Sequence, residues 1–544
     1  MLALLLRQSR RRMLVAVIAS VLSGLCGVLL VAQINSALSA DQAARTQLAW
    51  TFAALAVGMM VTRALAAMMS EQLGQYALAR LRHEIAARVM AADFRQVEQL
   101  GSARVQSALA EHSTNVAQFF VSVPAILNNA VVVLACLVYM ALLSWQVLLA
   151  AVVVIGLGSL GYHLAHLKAL GHLSTASVAQ DGLFGYFRAL TDGAKELRLH
   201  RDKRQRFLDD VLGQSIESVR HARATGMSIF VASASWGNFL IYAFIGLVLF
   251  VLVGDVPDRA RIMTGFALIF VYMVTPLEVL LMNIPRANLA RVSAARIEEI
   301  TADIGAETPA GRAVPAQFRR LSLQGVRHRY YHEQSDEFFE LGPIDLVFRP
   351  GTVTFLIGGN GSGKTTLAKL LAGLYTPEEG TICLDGEPVT EKSRDDYRQL
   401  FSAVFSDFHL FDRLLEAPGT ASDEAGNRLL ARLHLQHKVQ VRDGAFTTQA
   451  LSQGQRKRLA LVVACLEDRP FLIFDEWAAD QDPVFKEVFY HEVLPALREQ
   501  GKAVLVISHD DRYFDAGDRL LRLDSGRLSP LPAAPAARPV PADT

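Results

Sequence analysis

Six apolar stretches divide the first half of this 544-residue chain, at about 13–34, 48–70, 119–143, 147–167, 227–253 and 262–284. Each supplies the roughly 20 residues that a helix needs to cross a hydrocarbon layer. A first half built this way is expected to be an all-α, six-helix transmembrane domain. A mean hydropathy of +0.26 and 51% apolar residues agree with that. The basic run Arg7 to Arg12 resembles the start of a signal peptide. No small-residue cleavage site follows cleanly and five further spans do, so the first span reads as a retained anchor.

Lys and Arg are distributed unevenly between the loops. Segments 1–12, 71–118 and 165–226 hold four, five and ten; segments 34–47, 144–146 and 254–261 hold one, none and two. The basic side faces the cytoplasm. The N-terminus, the two long loops and, after six crossings, the second half of the chain are therefore expected there. The long loops are charged and helix-forming, as if spanning helices continued beyond the membrane and turned back. Phe184-Gly185-Tyr186-Phe187 and the run Lys195 to Arg206 lie in the second loop. These loop tips are expected either to be solvated helix faces or to press on a soluble motor domain.

Few polar groups interrupt the spans, the notable ones being Arg63, Asn128, Asn129, Asn238, Glu278 and Asn283. An ionisable group at membrane depth is a candidate for function. Arg63 and Glu278 are the candidates to touch cargo, the alternative being a structural pairing between them. Pro276 is expected to kink the sixth span. The first domain is expected over 1–300, a Pro/Ala/Gly-rich linker over 301–318, a soluble α/β unit over 319–528, and a disordered Pro/Ala-rich tail over 529–544. The cysteines Cys26, Cys136, Cys383 and Cys465 show no paired spacing, so neither a disulfide framework nor a zinc site is expected. A net charge of +1 gives no argument for a nucleic-acid partner.

The soluble unit turns on residues 358–365. Gly358-Gly359-Asn360-Gly361-Ser362-Gly363-Lys364-Thr365 fits G-x-x-x-x-G-K-[ST], after the apolar run Val353 to Ile357 and before leucines at helical spacing. Strand, glycine loop and helix together make a P-loop. Its backbone N–H groups can cradle a polyphosphate at a helix N-terminus, with Thr366 in the first turn. Lys364 can reach the β/γ-phosphates and the Thr365 hydroxyl can ligate Mg²⁺. A second apolar strand, Phe471 to Phe474, ends in Asp475 and Glu476. Asp475 is the expected Mg²⁺ partner, and Glu476 is placed to polarise an attacking water. A third, Ala503 to Ile507, leads to Ser508-His509-Asp510. Tyr330, ahead of the P-loop, is a candidate to stack on an adenine.

The segment Leu451-Ser452-Gln453-Gly454-Gln455 completes the set. With Tyr330, the P-loop, Asp475/Glu476, Asp482 and His509 in that order, residues 319–528 resemble the ATP-binding cassette family. Six spans fused ahead of the cassette resemble that family's exporters. The phrases FSAVFSDFHLF (401–411), DEWAADQDPVFKEVFY (475–490) and ISHDDRYFDAGDRLLRL (507–523) resemble one branch, the cyclic-peptide and peptide-siderophore exporters of the pyoverdine type.

That resemblance implies a bacterial inner-membrane ATPase that moves a peptide-like cargo outward, with ATP and Mg²⁺ as cofactors and membrane lipid around it. Glu476 would be the catalytic base and His509 the γ-phosphate switch. Ser452, Gln453, Gly454 and Gln455 would meet the γ-phosphate held by a second copy, with Asp482 at the junction, making a homodimer with two composite sites. The rival readings are a lipid or drug exporter of the same architecture, or a membrane-anchored ATP-dependent regulator. Two departures from the family pattern stand out. Ser406-Asp407 occupies the place of a conserved-type glutamine, leaving Asp407 as a metal-seeking carboxylate, and Gln453 replaces a glycine. The short interval from Ser406 to Ser452 implies a reduced helical subdomain.

Overall fold

The computed structural model describes residues 10–38, 42–248, 250, 259–302, 317–332, 337–415 and 420–531. The chain forms two compact units. The first comprises 1–86 and 106–300; the second comprises 87–105 and 301–544.

The first unit is helical. Its long helices are α1 (Arg10–Leu38), α2 (Gln42–Met90), α4 (Ser113–Leu143), α5 (Trp145–Asp192), α6 (Gln214–Leu247) and α7 (Arg259–Ala302). All six contain a stretch long and apolar enough to cross a membrane. Several run far beyond the apolar stretch seen in the sequence. α2 has 49 residues and α5 has 48, about 70 Å each at 1.5 Å per residue. α7 continues through Pro276, and α4 through Pro124. A shared core of Val28, Val132, Met140, Phe244, Phe266 and Phe270 holds α1, α4, α6 and α7 together. Elsewhere large apolar side chains face outward, among them Leu22 and Leu29 on α1 and Val153, Leu157, Leu160 and Leu164 on α5. In water this surface would cost roughly 25 cal/mol per Å². In a bilayer it costs nothing.

The second unit contains two larger sheets. One is antiparallel, in the order β2-β1-β4-β5, from β1 (Leu321–His332), β2 (Glu337–Phe348), β4 (Glu379–Leu384) and β5 (Glu387–Pro388). The other runs β12-β11-β3-β10-β9-β6, from β3 (Val353–Ile357), β6 (Phe401–Val404), β9 (Phe471–Asp475), β10 (Ala503–Ile507), β11 (Arg519–Asp524) and β12 (Arg527–Leu531). Its first five strands from the β6 side are parallel, and β12 is an antiparallel edge. Both faces are covered, so the central strands read as unbroken apolar runs. Phe355, Phe474, Val504 and Val506 pack on one face; Leu356, Ile473, Leu505 and Ile507 pack on the other. The short pair β7 (Val441–Arg442) and β8 (Ala445–Phe446), with α9 (Thr420–Arg432), makes a small subdomain ahead of the segment Leu451–Gln455.

Two sequence boundaries shift. β12 runs to Leu531, three residues into the expected tail, because Leu528 and Ser529 to Leu531 pair with β11. Residues 87–105, inside the interval expected for the spanning domain, cluster with the second unit. The rest of the tail and most of the expected linker lie outside the described residues. All four cysteines are free thiols.

Candidate functional site

Parallel strands deliver their C-terminal ends to one edge of the sheet, where ligands of such folds bind. Here β3 ends in the glycine loop, its neighbour β10 ends at Ser508-His509, and β9 beyond it ends at Asp475-Glu476. Backbone pairing sets Ile507 beside both Leu356 and Asp475. Three separate motifs are thereby brought into register.

The loop is shaped for an anion. Gly358 has φ +155°, and a Cβ there would lie 2.1 Å from the Leu523 carbonyl oxygen. Only glycine fits. The loop leads into α8 (Lys364–Leu371). The Lys364 ammonium, buried, donates to the carbonyls of Gly358 and Gly359, each at 2.9 Å. Burial lowers the Lys364 pKa, against the pull of Glu476 and Asp475. The buried Ser362 hydroxyl has no hydrogen-bond partner among the described residues. A cation that can only fold back on carbonyls and an orphaned hydroxyl fit a loop meant to hold phosphates.

The divalent-cation donors are together as well. Thr365 Oγ1 donates to Asp475 Oδ2 at 2.7 Å. Asp475 is 1% exposed. Burial pushes its carboxyl up, the Thr365 hydrogen bond opposes this, and Glu476 and Asp407 push it further. An oxygen pair of this kind suits Mg²⁺. Asp407 is exposed beyond the end of β6. Glu476 sits in the left-handed region at φ +51°, and its Oε1 lies 3.4 Å from His509 Nε2. The two line a cavity of about 230 Å³ with Ser508 and Asp510. The Tyr330 side chain lies outside the described residues.

The signature segment starts α10 (Gln453–Leu466). Ser452 is its N-cap, and a capping box joins Ser452 and Gln455 reciprocally. Gly454 is required: a Cβ there would lie 2.9 Å from the Asp480 carbonyl oxygen. Gln453 is exposed, 3.5 Å from the Asp480 carboxylate, which explains why a side chain is accepted at that position. No hydrogen bond or ion pair among the described residues joins 451–455 to the glycine loop of the same chain. Asp482 caps the helix Pro483–Val488 by accepting from the Phe485 N–H at 3.2 Å.

Two elements escaped the sequence reading. Lys457, 4% exposed, donates to the Glu476 carbonyl at 2.8 Å and pairs with Asp480 at 2.7 Å. The Trp477 indole returns a bond to the Lys457 carbonyl at 2.7 Å, and the Gln481 amide donates to Gly454 at 3.0 Å. The available signal was a lysine on the buried stripe of α10 with Ala460, Leu461 and Ala464. The second element is the helix α3 (Phe94–Leu100). Its Glu98 accepts from Lys369 Nζ at 3.0 Å and from the Tyr375 hydroxyl at 2.5 Å. Lys369 lies on α8, five residues beyond Lys364, and its ammonium sits 5.2 Å above the Phe94 ring. Arg95 and Glu378 add a 3.7 Å ion pair.

The first unit holds a cavity of about 870 Å³ lined by residues of α1, α2, α4 and α7. Arg63, Asn128 and Asn129 line it; Glu278, half-buried, does not. Asn283 is buried; its amide N–H donates to the Val279 carbonyl at 2.7 Å, while its Oδ1 has no hydrogen-bond partner among the described residues. The Asn238 side chain lies outside the described residues.

Residues 341–479 match the ABC transporter family. The ATP-binding protein SyrD of Pseudomonas syringae pv. syringae is 34% identical over 526 residues, covering 94% of this chain and 92% of that protein. The chain belongs to the ABC transporter family. An ATP-dependent lipid A-core flippase of Thiobacillus denitrificans is 26% identical, covering 87% of this chain and 84% of its own. The structure of a bacterial Atm1-family ABC exporter with ATP bound superimposes with a TM-score of 0.76 at 15% identity, over 96% of this chain and 94% of that one. The fold is therefore a helical spanning unit joined to an ABC domain. This ABC transporter is a multi-pass membrane protein that binds ATP and couples its hydrolysis to export.

Proposed function

We propose that this ABC transporter works as a homodimeric half-transporter that exports a cyclic peptide or peptide siderophore across a bacterial inner membrane. Each of its two ATP sites is shared. In this reading Gly358 to Thr366 hold the phosphates of one ATP, and Ser452 to Gln455 of the second copy close over them. Asp482 stands at the junction and Tyr330 stacks on the base. Thr365 and Asp475, with Asp407 near, hold Mg²⁺. The bound cation would neutralise charge on the phosphates; the protein's part is to position and to move protons. Glu476 takes the proton of the attacking water, and His509, 3.4 Å from Glu476, is the γ-phosphate switch. Arg63 is the candidate cargo contact; Glu278, the other candidate from the sequence, does not line the cavity.

One observation carries the composite site. The turn at Leu451–Gln455 presents a capped helix N-terminus with an exposed serine, yet among the described residues no bond joins it to its own chain's glycine loop. A helix N-terminus attracts phosphate, so the missing ligand comes from a second copy. ATP then favours the closed dimer by its higher affinity for that state, and hydrolysis removes the preference. The peptide cargo is supported by the phrases at 401–411, 475–490 and 507–523. A lipid cargo is the second reading, favoured by the flippase relative that matches along most of the chain.

Glu476→Gln in the full chain in lipid tests the catalytic part. ATP turnover should fall about 10²- to 10⁴-fold while ATP binding persists and a dimer accumulates. A monomer with undiminished turnover would end this reading. Comparing secreted metabolites of cells with and without the gene tests the cargo. Loss of a peptide supports it, and a changed outer-leaflet lipid replaces it.

A further inference from the structure

The cavity of the first unit is dipolar. Arg63 and Glu71 both line it, and both belong to α2. Eight residues separate them, a rise of about 12 Å along the helix. No carboxylate among the described residues lies within ion-pair distance of Arg63. Glu71 accepts only the neutral Gln75 amide, at 2.9 Å. The rest of the polar lining is uncharged, including Ser20, Ser23, Asn128 and Thr275. Asn128 Oδ1 is buried there with no hydrogen-bond partner.

Arg63 lies within the apolar stretch 48–70 and Glu71 just past its end; an unpaired charge at membrane depth is costly, and such groups ordinarily pair with one another or face water or substrate. These two are too far apart to pair with each other. Each lacks a partner that a ligand can bring. A guanidinium donates to a carboxylate in a two-bonded fork, and a carboxylate accepts from an ammonium. The cavity volume of about 870 Å³ lies in the range of sites that enclose small ligands, roughly 300–1,000 Å³.

We propose that this cavity recognises a zwitterionic amphipathic peptide, its carboxylate against Arg63 and its ammonium against Glu71, two positions about 12 Å apart along the axis of α2. This rests on the export reading above and narrows its cargo. A headgroup carrying only phosphates would satisfy Arg63 and be repelled at Glu71.

The test uses the full chain in lipid nanodiscs and reads ATPase stimulation against probe concentration, relative to each variant's own basal rate. The probes are an N-acylated peptide carrying one Asp and one Lys, the same peptide with Asp replaced by Asn, the same with Lys replaced by norleucine, and lipid A. In the unaltered chain, neutralising either peptide charge should raise the half-maximal concentration about tenfold, the worth of one charge-assisted hydrogen bond. In Arg63→Gln the Asp-to-Asn change should no longer matter while the Lys change still does. Glu71→Gln should show the reverse. Arg63→Lys, which keeps the charge, guards against misfolding and should retain part of the Asp preference. Equal penalties in the unaltered chain and in Arg63→Gln overturn the proposal and leave export standing. Stimulation by lipid A alone, strengthened by Glu71→Gln, overturns both this site and the peptide cargo. A chain that no probe stimulates overturns the site as well.

Discussion

The Lys457 ammonium lies 2.8 Å from the backbone carbonyl of Glu476 and 2.7 Å from the Asp480 carboxylate. One buried cation thus ties the signature helix α10 to the residue that closes β9. Glu476 needs such a tie, because its left-handed backbone at φ +51° is uncommon for a residue with a side chain.

Lys457→Met keeps the length and removes the charge. It leaves the Glu476 carbonyl with only the Ala479 N–H, at 3.3 Å, and Asp480 without its ion pair, a loss of about 2 kcal/mol. The expected result is a lower Tm and a fall in kcat with little change in KM for ATP, because the loss is in placing the base and not in holding phosphates. Steady-state ATPase kinetics and thermal unfolding check it. A raised KM with unchanged kcat would assign Lys457 to nucleotide binding instead.

Asp475 presents the opposite case, a charge whose burial is unfavourable until a cation arrives. Burial raises its pKa above the ordinary 3.8. Between the unfolded and the folded pKa the native chain then binds more protons than the unfolded one, so stability falls as pH rises through that window. Asp475→Asn should therefore raise the Tm of the metal-free protein, by more at neutral pH than near pH ~4, and abolish Mg²⁺-dependent turnover. Calorimetry at the two pH values, with and without Mg²⁺, separates the effects.

The attachment of α3 has the reverse pH signature. Burial pushes the Glu98 carboxyl up, but the Tyr375 hydroxyl and the Lys369 ammonium outweigh it and leave the pKa below the ordinary 4.5. The stabilisation is therefore full above 4.5 and fades as pH falls through the folded value. For Lys369 burial pulls down, yet Glu98 and Tyr375 raise the pKa above 10.5, so its share is lost only as pH climbs through the folded value. Hydrogen exchange of amides 94–101, corrected for the intrinsic pH dependence of amide exchange, should be slow across the neutral range and accelerate on acidification. Lys369→Met should speed it roughly fivefold at pH 7, the ~1 kcal/mol of a half-exposed pair.

Gly454 and Gln453 should respond very differently to substitution. Gly454→Ala sets a methyl 2.9 Å from the Asp480 carbonyl, a clash costing about 1–3 kcal/mol. Gln453→Gly, at an exposed position, should cost no more than about 1 kcal/mol. Urea unfolding of both variants measures the contrast.

The cassette was legible because its chemistry is local. A glycine loop between a strand and a helix, and carboxylates at the end of an apolar run, announce themselves within a dozen residues. The strands Val353–Ile357 and Ala503–Ile507 match the expected apolar runs residue for residue. The spans were legible by length alone. What stayed hidden depends on distant partners. Nothing near Glu98 in sequence points to Lys369, 271 positions away, and Lys457 gains its meaning only when Trp477 and Asp480 fold against it. Glu278 looked equivalent to Arg63 as a charge in a span, yet only the latter lines the cavity, because that depends on which way each helix is turned.

Helix α8 begins at Lys364, and Lys369 on the same helix grips Glu98. Those five residues span about 7.5 Å of unbroken helix, buried on most sides. So short and well-packed a piece behaves as a lever without slack. A recoil where the phosphates sit would pass along this one helix to Glu98 of α3, with no loop in between to absorb it.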